Sequence, residues 1–101
     1  PAGFTGMVAV QTPKGGFINP AKNEKARIIL SPTSAETVSV KIYNMRGQLV
    51  WEDSKPAQKN VKMDMFWNGR NLENIAAASG IYVLHVNGAG INMKKKIAVI
   101  K

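Results

Sequence analysis

The chain has 101 residues, 45% of them hydrophobic and 20% charged, with 9 Gly, 5 Pro, one His and no Cys. A domain of this size buries roughly two-thirds of the surface its unfolded chain exposes, so one core suffices without a metal or disulfide staple. The absence of Cys excludes disulfides, thiol redox chemistry and cysteine–zinc sites, a lone His85 leaves no basis for a metal centre, and no apolar run approaches the ~20 residues of a membrane span.

The net charge is +8. Such an excess invites a polyanion reading, but it is spread evenly over the two halves of the chain. Only Lys94, Lys95, Lys96 and Lys101 cluster. The run at Lys94–Lys96 reads as a solvated strand face, with contact to a polyanion or an envelope surface as the alternative. The chain opens on Pro1 with no signal-like segment, as expected of a piece of a longer protein.

In chain order, short β-rich runs alternate with turn residues every 8–12 positions, the pattern of an all-β sandwich or barrel. Met7–Gln11 is a first strand, ended by Thr12-Pro13-Lys14-Gly15-Gly16. Asn19-Pro20 opens a loop, since the residue before Pro is pushed out of the helical region. Arg27–Leu30 follows, stopped by Ser31-Pro32. Val38–Tyr43 alternates, with Val38, Val40 and Ile42 on one face; Asn44–Gly47 is a tight turn, and Gln48–Glu52 returns as the partner strand. Val61–Phe66 alternates again, Trp67–Asn71 reads as a turn, and Leu72–Ser79 has room for a helical turn. Ile81–Val86 is the strongest strand; Asn87–Gly90 turns into a closing strand, Ile91–Ile100. About seven strands with no long helix predict an immunoglobulin-like antiparallel sandwich, with Val40, Ile42, Leu49, Tyr82, Leu84 and Val86 in its core.

Three lysines in succession place Lys94 and Lys96 on one face and Lys95 on the other. On a covered central strand one ammonium would enter the core, which is prohibitive without a partner. The segment is therefore expected at a sheet edge or extending beyond the sandwich; at an edge, lysines also discourage edge-to-edge aggregation.

Several blocks together carry a resemblance: Asn19-Pro20, Val40–Asn44, Gly47–Val50, Trp67–Asn71, Ala78–Tyr82 and Lys95–Lys101. From about Asn19 to Lys101 the chain resembles the Ig-like domain named after the flagellar hook-capping protein. It is similar too to the related C-terminal sorting domains of type IX secretion. The family usually carries Asp where Asn68 stands and Gly near Asn74, and sorting domains more often lack the Trp-Asn-Gly block, which tilts the resemblance to the broader Ig-like type. The resemblance implies a lead-in over residues 1–18 and an Ig-like domain over 19–101, at the end of a larger protein that is secreted or on the cell surface. It implies no catalysis.

The residues point the same way. The six carboxylates, Glu24, Glu36, Glu52, Asp53, Asp64 and Glu73, are scattered, and the adjacent pair Glu52-Asp53 points to opposite faces of a strand. His85 lies in a strand between Leu84 and Val86 with no nucleophile in the pattern, and neither Gly15-Gly16 nor Gly88-Ala89-Gly90 forms a phosphate loop. The chain is read as non-enzymatic, with no cofactor and no metal. Trp67 and Tyr82 are expected in the core, the Tyr hydroxyl bonded to backbone. Trp51, sharing a face with Leu49, reads either as core or interdomain packing or as a candidate ligand platform beside Tyr43 and Lys41. Phe4 and Phe17 flank the first strand and are expected to cap an edge or touch a preceding module. Tyr43, Trp51, Lys41 and Lys62 could compose a single-strand nucleic-acid face, but no nucleic-acid module matches the strand order, and none is expected as a partner.

The function expected is thus a non-catalytic accessory module of a secreted polysaccharide-degrading or surface protein. Its expected partners are the preceding domains of that protein, the secretion machinery or anionic envelope glycans. A carbohydrate-binding module is the alternative.

Overall fold

The computed structural model describes residues 7–13 and 15–101, so Phe4 and Lys14 lie outside the described residues. Among the described residues there are eight strands: β1 Met7–Gln11, β2 Phe17–Ile18, β3 Ala26–Ser31, β4 Thr37–Tyr43, β5 Leu49–Pro56, β6 Met63–Trp67, β7 Gly80–Gly88 and β8 Ile91–Val99. They form a three-stranded sheet, β1-β3-β6, and a five-stranded sheet, β2-β8-β7-β4-β5. Every pairing is antiparallel except β2 with β8. The expected all-β sandwich is the fold observed. The segment read as a lead-in supplies β1, which pairs with β3, and β2, which pairs with the end of β8.

Alternation explains the core. Ile28 and Leu30 of β3, Val38, Val40 and Ile42 of β4, and Tyr82, Leu84 and Val86 of β7 are all buried between the sheets. Each such side chain contributes about 1.5–3 kcal/mol on burial. A one-residue slip would turn every one of them to water, so the register is strongly specified.

Leu49 departs from the expected core. It is 41% exposed. The register runs Ile42↔Trp51 and then Tyr43↔Leu49, so Val50 is an extra residue in β5. This bulge reverses the alternation across it. Leu49 joins Tyr43 on the outer face, and Trp51 joins buried Ile42 on the inner face, half-buried against the core.

Leu72–Ser79 contains no helix. Asn71 competes for the amides a helix needs: its Oδ1 accepts N–H bonds from Glu73 at 2.9 Å and Ile75 at 3.0 Å. A 3₁₀ turn, Pro20–Lys22, is capped by Asn19, whose Oδ1 accepts from the Ala21 amide at 3.0 Å.

Both edges of the five-stranded sheet carry inward-facing charge. β2 pairs only with Ala98 and Val99, so the lysine run of β8 lies along an edge with which no described strand pairs. Lys95 pairs with buried Leu84 and so shares its inner face, yet it is exposed. On β5 at the other edge, Asp53 and Lys55 pair with buried Val40 and Val38 and are exposed too. Inward charges at an edge make pairing with a foreign strand costly.

Candidate functional site

Part of the family resemblance, the Trp67–Asn71 block with Pro20, Ala78 and Tyr82, comes together in one place. Trp67 is 0% exposed and its indole Nε1–H donates to the Arg70 carbonyl at 2.9 Å. Its ring meets Tyr82 edge-on, with centroids 5.7 Å apart at 64°. The Tyr82 hydroxyl donates to the Ala78 carbonyl at 2.6 Å. Gly69, at φ +75°, lies so close to Pro20 that a Cβ there would sit 2.9 Å from the Pro20 Cβ. Asn68 Oδ1 accepts from the Arg70 amide at 3.2 Å, a bond the family's usual Asp would keep. Asn74 has φ +63°, which accounts for the Gly that the resemblance placed near this position. All these groups are consumed by packing and backbone capping.

Burial pushes the Tyr82 phenol above its ordinary value near 10. The native state therefore keeps a proton that the unfolded chain releases. Its contribution to stability is complete below about pH 10 and is lost as pH rises through the folded-state value. Urea midpoints between about pH 8 and 11 should fall less steeply in Tyr82→Phe than in the wild type. An identical alkaline decline in both proteins would rule this linkage out.

The polar side chains outside this cluster assemble elsewhere. On the outer face of the five-stranded sheet, cross-strand register places Glu52, Lys41, His85 and Lys94 in one row over β5, β4, β7 and β8. The adjacent rows are Leu49, Tyr43, Val83 and Lys96 on one side, and Ser54, Ser39, Asn87 and Asn92 on the other. His85 Nε2 is hydrogen-bonded to Asn92 Oδ1 over 3.0 Å. Two shallow hollows follow β4 and β7. One, of about 380 Å³, is lined by Tyr43, Asn44, Met45, Val83, His85 and Lys94 among others. The second, of about 190 Å³, is lined by Ser39, Lys41, Tyr43, His85 and Asn87.

Of the residues anticipated as a ligand platform, the fold brings Tyr43 and Lys41 together and separates Trp51 from them. Trp51 instead borders a hollow of about 180 Å³ with Lys25, Phe66 and Asn68, between the β5 and β6 edges. The physical reason is the Val50 bulge. Of the basic cluster, Lys94 and Lys96 share the outer face with Tyr43, and Lys95 does not. Ser39, His85 and Asn87 complete the trough. Their strand alternation was readable, but the pairing of β4 with β7 was not.

The carboxylates remain dispersed. Asp64 accepts from Arg27 at 2.8 Å, the Ser34 hydroxyl donates to Glu36 at 3.0 Å, and the Asn19 amide donates to Glu24 at 2.8 Å. Among the described residues, no group of three His, Asp or Glu side chains is placed to hold a metal.

No curated protein matches the chain in sequence. Several solved structures share its fold. The dimeric latent PorU of Porphyromonas gingivalis superposes with a TM-score of 0.64 and 22% identity, over 98% of this chain and 10% of that one. PorZ, a surface component of the type IX secretion system of the same organism, gives 0.61 and 21%, over 93% and 11%. FlgD of Xanthomonas campestris, the flagellar hook-capping protein, gives 0.63 and 21%, over 93% and 66%. This chain therefore spans about a tenth of PorU and PorZ. At such identities the likeness concerns the fold. The sequence profile of the secretion system C-terminal sorting domain matches residues 17–101, nearly the whole chain. The chain belongs to that family, whose domains mark the proteins that carry them for secretion or attachment at the cell surface.

Proposed function

We propose that this domain is a non-catalytic tag, read by type IX secretion machinery as a folded surface and carried by a larger secreted polypeptide. The observation that carries the reading is the family match over 17–101. Two features support it. The signature residues Trp67, Gly69 and Tyr82 are committed to packing and backbone bonding, and the carboxylates Asp64, Glu36 and Glu24 are each bonded at separate places. The activity then belongs to the rest of the polypeptide, on our reading a surface or polysaccharide-degrading protein.

The test is export. Residues 1–101 are fused behind a fluorescent reporter bearing an inner-membrane export signal, in a bacterium with type IX machinery and in a strain lacking it. The reporter should reach the medium or cell surface only in the first strain. Equal periplasmic retention in both strains would overturn the proposal.

A further inference from the structure

We propose that the trough on the outer face of the five-stranded sheet binds an acidic oligosaccharide. Tyr43 supplies the platform for a sugar ring, and Lys41 and Lys94, on either side of His85, supply the cationic donors for the acid groups. The inference goes beyond the sorting role and does not depend on it.

Tyr43 and His85 line both hollows, so the two form one trough. From Ser39 to Asn44 it follows β4 for about 17 Å at roughly 3.3 Å per residue, room for a short glycan chain. Lys41, His85 and Lys94 sit in register on adjacent strands, roughly 4.8 Å apart. Acid groups of a glycan lying on that row meet Lys41 at one end and Lys94 at the other, and charge-assisted bonds of this kind are the strong ones. Ser39 and Asn87 add a neutral hydroxyl and a neutral amide beside the ring, groups suited to sugar hydroxyls. The one carboxylate in register with the row is Glu52, opposite Lys41; it lines neither hollow. The chain's net charge of +8 favours an anionic occupant.

The geometry favours a glycan over a peptide. β4 and β7 are each paired on both sides, so their main-chain groups are spent and no strand can be added there. Recognition on this face has only side chains to work with. It also disfavours single-stranded nucleic acid, which stacks successive bases on several rings. Trp51, the second ring such a face would need, is on the inner side of the sheet.

The experiment is an NMR titration of the isotopically labelled 101-residue chain with tetragalacturonate, at low and at physiological salt. Hexaglutamate, an oligothymidylate and neutral cellotetraose serve as comparison probes. The expected result is a saturable set of shifts confined to Ser39–Asn44, Val83–Asn87 and Lys94. Affinity should fall as salt rises, because the contacts are partly screened. Lys41→Gln and Tyr43→Ala should each weaken binding about tenfold, the loss expected for one charge-assisted bond or its equivalent. Lys59→Gln, remote in sequence and on a turn, should leave it unchanged. Lys41→Gln carries the test should Tyr43→Ala fail to fold. Four outcomes overturn the proposal: no saturable binding, shifts spread over all lysines, an equal response to any comparison probe, or full affinity in Lys41→Gln.

Discussion

Replacing Trp67 by Ala is expected to remove about 3–5 kcal/mol of folding stability, the range for deleting a large buried aromatic ring. The indole is fully enclosed, meets Tyr82 edge-on and donates to the Arg70 carbonyl. Truncation leaves a cavity and an unpaired carbonyl at the same place. Domains of this size hold about 5–15 kcal/mol in total, so a large part of the margin disappears. With a urea dependence of about 1–3 kcal/mol per molar, the midpoint should fall by about 2 M. Trp67→Phe keeps the ring contact but not the N–H donor and should lose less. A midpoint unchanged in Trp67→Ala would mean that this ring is not enclosed in the core. If the folded surface is what the machinery recognises, as proposed above, the export assay should follow the folding measurement.

Gly88→Ala is the second large effect, expected to cost about 3 kcal/mol from combined strain and overpacking. Gly88 ends β7 at φ +114°, a region closed to L side chains, and a Cβ there would run into the backbone carbonyl oxygen of Thr37. Backbone on β4 cannot swing aside as a side chain can, so the β7–β8 hairpin must lift away from the sheet. For a domain near 100 residues, 3 kcal/mol corresponds to a fall in melting temperature of about 15 °C. Thermal unfolding by circular dichroism measures it. A fall of only a few degrees would show that the hairpin yields easily at this point.

These two sites differ in how they are read. The Trp67–Asn71 block and Tyr82 stand out in the sequence, and their core role follows from their chemistry: a large ring with one polar handle is stable inside only when that handle is bonded. Gly88 is legible as a turn residue, but its closeness to Thr37 comes from the pairing of β4 with β7, forty or more positions apart. A contact of that kind has no local signature.

What the sequence by itself determined is whatever depends on local period and on the cost of burying charge. The alternation in β3, β4 and β7 specifies strands and their inner faces, because side chains on extended backbone switch sides at every residue. The run Lys94–Lys96 excluded a covered central strand, because an ammonium on the inner face needs water; Lys95 is exposed there. Tertiary structure decided the rest. β2 is two residues long and has no period to detect, yet its parallel pairing with β8 buries Ile18. Val50 is extra only relative to its partner strand, and that one residue turns Leu49 outward and Trp51 inward. The row of Lys41, His85 and Lys94 comes from three strands whose order in the sheet differs from their order in the chain. Strand order and register are settled by the burial of the whole inner face at once, so the surface on the opposite face is legible only after the fold has formed.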